Sequence, residues 1–179
     1  MEPEVNVGIV GEETLCRGKR FSLKRVLVSY GGRVFDRDVL DHPGSVAILP
    51  LHADGRVVLL RQWRPGCRCW LLEVPAGTLE PGEEPDHAAR RELEEETGYT
   101  PEELVKLGVV YPTPGTSTEA MHLYVARGLR RGTPHPEEDE VIRVVEMPFE
   151  NLYEMVLRGE VIDAKTALLA LLARTRGLA

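Results

Sequence analysis

Residues 77–99 read GTLEPGEEPDHAARRELEEETGY, and the rest of the chain is organised around them. They fit the pattern G-x5-E-x7-R-E-L-x-E-E-x-G-Y, and carboxylates crowd the interval, at Glu80, Glu83, Glu84, Asp86, Glu92, Glu94, Glu95 and Glu96. An ordinary surface helix would intersperse lysines at i+4 spacing, yet no lysine lies between residues 77 and 100. A merely solvated acidic surface therefore explains this run poorly.

The second half of this stretch has the composition of a helix with defined ends. Pro85 fits the first turn, where its missing N–H costs nothing, and Gly98 suits a C-terminal cap. Good helix formers fill the interval between them. At about 100° per residue, Glu92 and Glu96 fall on one face with Glu95 beside them. The adjacent face, which we expect to pack inward, carries Ala89, Leu93 and Thr97.

Three carboxylates on one helical surface repel one another unless a cation lies among them. Sites built from several carboxylate oxygens suit Mg²⁺ or Mn²⁺. Arg91 flanks the cluster and can form a charge-assisted pair with one of the glutamates. The sequence therefore predicts a divalent-cation site on this helix.

The overall composition is that of one globular domain, or of one domain with a small appendage. The 179 residues are 42% hydrophobic and 28% charged, which is ordinary for a soluble protein. A net charge of −7 argues against a nucleic-acid-binding surface, although a divalent cation and a few arginines can still accommodate a nucleotide. We expect no secretory signal and no membrane span, because no run reaches roughly 18 apolar residues. Three cysteines fit a reducing cytoplasm.

Short β-type runs precede and follow the central stretch, and two further helices follow it. Strands are predicted at 4–10, 20–30, 33–40, 45–51, 57–63, 70–74, 104–111, 120–127 and 141–147. Helices are predicted at 85–97, at 149–157 and at 164–176, the last with Asp163 as its N-cap. Strands and helices mixed in this order predict an α/β sandwich with the sheet held between helices.

The first 42 residues are predicted to form a separate antiparallel β meander, and residues 43–179 the main domain. The turn signals at 31–32 and 41–44 set these limits. A meander this small seldom folds alone. Its apolar residues Phe21, Leu23, Val26 and Val28 need a surface to cover them, which predicts a homodimer in which the meander contributes to a neighbouring subunit's site.

The central stretch resembles the signature of the Nudix hydrolases, enzymes that cut a diphosphate linked to another group. Two flanking segments resemble the ADP-ribose pyrophosphatase branch of that family: RQWR at 61–64 and EVPAG at 73–77. Pro114 stands sixteen residues after Gly98, where that branch typically has a proline. The resemblance covers roughly residues 35–175. It implies a Nudix-type α/β/α sandwich with a mixed sheet, and it also points to the homodimer.

The resemblance also implies roles for individual residues. Two or three Mg²⁺ ions, or Mn²⁺ in their place, would be held by the carbonyl of Ala76 and by Glu92, Glu95, Glu96 and Glu140. The catalytic set would be Glu95, Arg91, Glu138 and Glu140, with Arg91 and Glu83 mainly holding the glutamates in place. Which carboxylate of the loop before the strand at 141–147 activates water stays open. Substrate contacts would come from Arg61, Arg64, Glu73, Pro114 and Glu119. An arginine suits a diphosphate because it is a planar, permanently charged donor, and Arg64 is favoured over Arg61 because it resembles the family's arginine near the substrate.

The implied activity is metal-dependent hydrolysis of a nucleoside diphosphate derivative, most of all of ADP-ribose to AMP and ribose 5-phosphate. One alternative is another nucleotide sugar or a flavin or nicotinamide dinucleotide. The other is a non-catalytic module that binds ADP-ribose. An intact set of carboxylates favours an enzyme, because a binding module has no need of metal-bridging acids.

Cys67 and Cys69 lie one residue apart near the end of a predicted strand. A structural zinc site needs four ligands, and no second pair of cysteines occurs in the chain. We therefore interpret them as two thiols on one strand face.

Overall fold

The structure, a computed structural model, describes residues 6–135 and 141–179 and begins with a three-stranded antiparallel meander. Its strands are β1 (Val7–Arg17), β2 (Ser22–Tyr30) and β3 (Arg33–Asp41), in the spatial order β1–β2–β3. Gly31 and Gly32 turn the chain between β2 and β3 with φ of 56° and 72°, a conformation that glycine adopts at little cost. The predicted meander is confirmed, although β1 continues to Arg17 instead of ending near residue 10.

The elements of the main domain follow the predicted order. They are β4 (Ser45–Pro50), β5 (Arg56–Arg64), β6 (Cys69–Glu73), β7 (Ala76–Thr78), α1 (Pro85–Thr97), β8 (Tyr99–Thr100), β9 (Glu103–Val110), β10 (Met121–Arg127), β11 (Arg130–Arg131), β12 (Ile142–Pro148), α2 (Phe149–Leu157) and α3 (Ala164–Thr175). The sequence did not predict β7, β8 and β11, because strands of two or three residues are too short to show an alternating pattern.

Two main sheets form the middle of the domain. The first has the order β7–β4–β10–β9, in which β4 and β10 run parallel and the other pairs run antiparallel. The second has the order β12–β5–β6 and is antiparallel, while β8 and β11 form a small separate ladder. The predicted mixed sheet is confirmed.

Strand β4 separates the two hydrophobic cores. Its side chains point alternately to opposite faces, so Val46 and Ile48 pack with α1 in one core. Ala47 and Leu49 pack in the other core with α2 and α3. All four are completely buried, which explains why the strand reads as a continuous apolar run. Helices on both sides of the sheet confirm the predicted α/β/α sandwich.

Helix α1 has the ends that the sequence predicts. Pro85 stands in the first turn. Gly98 ends the helix in the left-handed conformation with φ of 75°, and its N–H donates to the carbonyl of Glu94. The buried residues of α1 include Ala89, Leu93 and Thr97, as predicted, and also two of its glutamates.

The meander is tied to the main domain of the same chain by the loop 112–120. The N–H of Leu40 donates to the carbonyl of Thr116 at 2.8 Å, and the N–H of Thr118 donates to the carbonyl of Leu40 at 2.9 Å. The N–H of His42 donates to Oγ1 of Thr118 at 2.8 Å. These bonds fix the direction in which the meander leaves the domain.

The predicted apolar face of the meander needs a correction. Strand β2 pairs regularly with β3 from Ser22 to Tyr30, so its side chains alternate and Leu23 lies on the face opposite to Val26 and Val28. The face that carries Val28 instead continues across the strands as a patch of Val7, Ile9, Val28, Tyr30 and Phe35. We call these five residues the meander patch.

Helices of the described residues are all too short or too polar to span a membrane.

Candidate active site

The carboxylate of Glu92 lies directly against the backbone of β7. A Cβ atom placed on Gly77 would come within 1.9 Å of Cδ and 2.0 Å of Oε1 of Glu92. Only glycine therefore leaves room for the carboxylate at this point. The glycine that opens the sequence pattern is explained by this approach of helix to strand, not by a left-handed turn.

One helical turn later, Glu96 reaches the neighbouring residue of the same strand. Its Oε2 accepts a hydrogen bond from the N–H of Ala76 at 2.9 Å, and its residue is only 2% exposed. Glu92 is 9% exposed, and Glu95 is half-buried at the edge. The predicted common face of Glu92, Glu95 and Glu96 is therefore present in the structure, and it packs against residues 76–77.

The guanidinium of Arg91 gathers the remaining carboxylates. Nε and Nη2 donate to the two oxygens of Glu83 at 2.9 and 2.8 Å. Nη1 donates to Glu92 at 2.7 Å and to Glu95 at 3.1 Å. The hydrogen bond to Glu83 is the main cause of the raised pKa of Arg91 and of the lowered pKa of Glu83. Arg91 therefore stays charged and holds three glutamates in fixed directions.

The oxygen atoms around residues 76–77 are carboxylate and carbonyl oxygens, the type of ligand that a hard divalent cation prefers. Among residues 6–135 and 141–179, however, no three acidic, histidine or cysteine side chains are arranged ready to hold a metal ion. Arg91 is the cation that lies between Glu92 and Glu95. A metal at this place would have to share the oxygens of Glu92 and Glu95 with Arg91.

A cavity of 230 Å³ opens beside this helix face and carries charges of both signs. Carboxylates of Glu92, Glu95 and Glu119 line it together with the cations of Arg20, Arg64 and Lys165. Opposed groups of this kind suit a ligand that brings both a negative charge and bound cations.

A buried ion network supports the basic wall of this cavity. Glu73 is completely buried, and its two oxygens accept hydrogen bonds from Nε and Nη2 of Arg64, both at 2.8 Å. Nζ of Lys165 donates to the same carboxylate and, at 2.9 Å, to Asp163. Burial alone would raise the pKa of Glu73, but Arg64 and Lys165 hold this pKa below its ordinary value. The two cations are thereby fixed at the cavity.

The same network fastens the start of α3 to the sheet. Asp163 accepts hydrogen bonds from the N–H and the hydroxyl of Thr166 at 3.0 and 2.5 Å, which confirms it as the N-cap. Oγ1 of Thr166 accepts a hydrogen bond from the buried N–H of Val74 at 2.8 Å. Sequence reasoning identified the cap but missed Lys165, whose only signal is its place two residues after Asp163.

The turn between β1 and β2 brings further cations to the motif. A second cavity, of 570 Å³, lies between this turn and the loop before α1. Arg17, Lys19, Arg20 and Phe21 line one side, and Arg91 and Glu92 line the other. This turn faces the motif of the same chain, and a contribution of the meander to a neighbouring subunit's site stays a prediction. The basic residues of the turn were not identified from the sequence.

Only some of the predicted substrate-contacting residues line the 230 Å³ cavity. Arg64 and Glu119 line the 230 Å³ cavity, and Glu119 accepts a hydrogen bond from the hydroxyl of Ser45 at 2.7 Å. Glu73 lies behind Arg64 and is absent from that lining, and Pro114 is exposed on its loop.

Arg61 is not brought to this cavity. It is three residues from Arg64, and side chains at odd spacing in a strand point to opposite faces. Its guanidinium lies 6.0 Å from the ring centre of Trp70 on the outer face of the sheet. The predicted acids Glu138 and Glu140 lie outside the described residues.

Comparison with known proteins gives a consistent pattern. A sequence model of the NUDIX domain matches residues 41–169. The ADP-ribose pyrophosphatase of Bacillus subtilis (strain 168) is 40% identical over 165 residues, which cover 87% of this chain and 89% of the relative. The GDP-mannose pyrophosphatase of Escherichia coli O1:K1 / APEC is 38% identical over 145 residues, 74% of each chain. The solved structure of an ADP compounds hydrolase shares the fold with a TM-score of 0.81 at 23% identity, covering 95% of this chain and 93% of the other.

The buried charge of Glu73 predicts a pH-dependent stability difference between the wild type and Glu73→Gln. Because the folded-state pKa lies below the ordinary value of 4.5, the charge stabilises the fold above that pH and its contribution is lost as pH falls through the folded-state pKa. We expect Glu73→Gln to cost about 3 kcal/mol near pH 7, since it leaves Arg64 and Lys165 without their anion. The difference should shrink below pH 4.5.

Denaturant titrations of both proteins at several pH values would measure this difference. Glu102→Gln is the matched control, because Glu102 pairs with Arg130 at the exposed surface, where such pairs contribute about 0–1 kcal/mol. A difference for Glu73→Gln that stays constant down to acid pH would contradict the assignment of a lowered pKa.

Proposed function

We propose that this chain, which belongs to the NUDIX family, is a metal-dependent pyrophosphatase that cleaves ADP-ribose to AMP and ribose 5-phosphate. The observation that carries the proposal is the 230 Å³ cavity, in which the glutamates of α1 face Arg64 and Lys165. A diphosphate carries negative charges that the arginine and lysine can bind directly. The carboxylates on the opposite wall can reach the same oxygens through divalent cations.

We assign the metal-holding role to the carbonyl of Ala76 and to Glu92, Glu95 and Glu96. The tight approach at Gly77 puts Glu92 against β7, and the N–H of Ala76 donates to Glu96 on the same strand. Ala76 and Glu95 line the cavity with Glu92. Magnesium or manganese bound there would neutralise the charge that develops on the diphosphate as the P–O bond breaks. The number of ions, two or three, is part of the proposal.

The other residues around the cavity bind and orient. Arg64 uses Nε and Nη2 on Glu73, so we assign its remaining nitrogen, Nη1, to the diphosphate. Arg91 keeps Glu92 and Glu95 in place and balances part of their charge before the substrate arrives. Glu119 stands at the cavity with its carboxylate held by Ser45 and is suited to a ribose hydroxyl. The water-activating carboxylate remains the predicted Glu138 or Glu140.

A second candidate substrate is GDP-mannose, because one relative at 38% identity bears the name GDP-mannose pyrophosphatase. Both molecules are nucleoside diphosphates joined to a sugar, so the metal site and Arg64 would serve both. ADP-ribose is favoured by the relative that covers more of this chain, 87% of it. The RQWR and EVPAG segments of the sequence favour it as well.

A substrate panel tests the proposal directly. With Mg²⁺ present, we expect the highest kcat/KM for ADP-ribose, with AMP and ribose 5-phosphate as products, against GDP-mannose, a flavin dinucleotide, a nicotinamide dinucleotide and dGTP. A chelator should abolish turnover, and added Mg²⁺ or Mn²⁺ should restore it. Fastest cleavage of GDP-mannose would replace the substrate assignment, and binding of ADP-ribose without cleavage of any compound would indicate a non-catalytic module.

Gly77→Ala tests the contact that seats Glu92. Because the new methyl group would overlap the carboxylate, Glu92 must swing away from the metal site. We expect kcat/KM to fall roughly a hundredfold, the loss that small misplacements of catalytic groups can cause. Activity on ADP-ribose and the circular dichroism spectrum would be measured together.

The matched control is Gly66→Ala, because a Cβ atom at Gly66 would meet no atom within 4 Å. This variant should keep both its spectrum and its activity. Wild-type turnover by Gly77→Ala with the fold intact would remove Glu92 from the proposed site.

We also propose that the chain is a homodimer that uses the meander patch. Four of the five patch residues are large and exposed: Val7 by 59%, Ile9 by 65%, Tyr30 by 49% and Phe35 by 37%. An apolar face that continues across three strands is typical of a contact surface. A two-fold axis would bury the same patch of both copies.

Light scattering tests the dimer with two charge substitutions. The wild type should have a mass of about 40 kDa, twice the 20.0 kDa of one chain. Ile9→Lys lies on the meander patch and should dissociate the dimer at micromolar concentration. Val34→Lys is the matched control, because Val34 is 59% exposed but lies on the opposite face. A mass near 20.0 kDa for the wild type would exclude the dimer.

A further inference from the structure

Two thiols are in contact where the turn after β5 meets β6: Cys67 lies in the turn and Cys69 is the first residue of β6. The thiol of Cys69 lies 3.1 Å from Sγ of Cys67. Cys67 is exposed and Cys69 is half-buried, so reagents in solution can reach the pair. Neither cysteine lines the 230 Å³ cavity of the proposed active site.

The backbone at the residue between the two cysteines lies in the left-handed region. Arg68 has φ of 55° and is the one non-glycine residue with positive φ among residues 6–135 and 141–179. A residue in the left-handed helical conformation brings the Cα atoms of its two neighbours to about 5.4 Å. Disulfides span Cα separations of about 4.4–6.8 Å. Only the two sulfur atoms have to approach, by about 1 Å.

Hydrogen bonds to the preceding strand hold this turn in place. The N–H of Arg68 donates to the carbonyl of Arg64 at 2.8 Å, and Sγ of Cys67 lies 3.6 Å from the same carbonyl. The turn is therefore a formed structure that keeps Cys67 and Cys69 together. It is also attached to the residue whose guanidinium lines the 230 Å³ cavity.

The two thiols differ in their surroundings. Hydrogen bonding to Cys67 is the main cause that raises the pKa of Cys69, and burial adds to it. The thiolate is the attacking form of cysteine. Because Cys67 is exposed and Cys69 is half-buried, a disulfide in solution reaches Cys67 first, and Cys69 is placed to react with it.

We propose that Cys67 and Cys69 form a dithiol modification site, which low-molecular-weight disulfides oxidise to an intramolecular disulfide. The thiolate of Cys67 attacks one sulfur of the small disulfide, whose S–S bond breaks, and one small thiol leaves with the electron pair. Cys69 then loses its proton and attacks Sγ of Cys67, and the second small thiol leaves. The two cysteines lose two electrons and two protons, which the two small thiols take up.

A tryptic digest detects the disulfide between Cys67 and Cys69 directly, because trypsin cuts after Arg68, between the two cysteines. Since the bond from Arg64 to Pro65 resists trypsin, the pair is divided between the peptides 62–68 and 69–90. The protein would be incubated with glutathione disulfide, blocked with iodoacetamide and digested without reductant. We expect the two peptides to stay linked, or an uncut 62–90 peptide to lack the mass of two hydrogen atoms, and reduction to reverse either result.

Cys16 is the internal control, since it is exposed and lies on a third peptide, 1–17. It should carry one glutathionyl group in every sample. In Cys69→Ser, Cys67 should likewise keep its glutathionyl group, because no second thiol displaces it. The proposal is overturned if Cys16 has reacted while the peptides 62–68 and 69–90 are recovered unlinked, whether alkylated or each glutathionylated.

Discussion

The contact on which the site depends is the approach of helix α1 to strand β7. Gly77 has no side chain, so the carboxylate of Glu92 can lie against the strand, and Glu96 binds the N–H of Ala76 one turn later. These two contacts hold the buried side chains of Glu92 and Glu96 against half-buried backbone, where water solvates them poorly. The helix is held by apolar packing of Ala88, Ala89 and Leu93 on the sheet, and that packing keeps the glutamates where they are.

Two arginines balance the negative charge of the glutamates that are gathered around the site. Arg91 contacts Glu83, Glu92 and Glu95, and it occupies the space between carboxylates that would otherwise repel one another. Arg64 pairs with buried Glu73, to which Lys165 also binds. In both clusters the charged groups are fixed before any ligand arrives, which lowers the cost of ordering them on binding. The proposed catalysis depends on these charged groups being held in place before the substrate binds.

The meander extends the site beyond the domain that carries the motif. Hydrogen bonds from Leu40 and His42 to the loop 112–120 set its direction. Its first turn thereby brings Arg17, Lys19 and Arg20 beside the glutamates of the same chain. One end of the meander thus takes part in the cavity, while the meander patch at the other end stays exposed. The proposed dimer would use the exposed end.

The sequence by itself determined the order of the longer strands and helices and the faces of α1. The caps at Pro85, Gly98 and Asp163 and the shared face of Glu92 and Glu96 follow from residue type and from a fixed angle per residue, so spacing alone was sufficient. Tertiary structure alone decided which distant residues meet. Glu73 and Lys165 are far apart in the chain and come together through the packing of α3 on the sheet. The three-residue spacing of Arg61 and Arg64 already places them on opposite faces of β5, and the packing of the sheets decided that Arg64 is the one at the cavity. Such contacts depend on how sheets and helices pack, and the spacing of residues along the chain does not encode that directly.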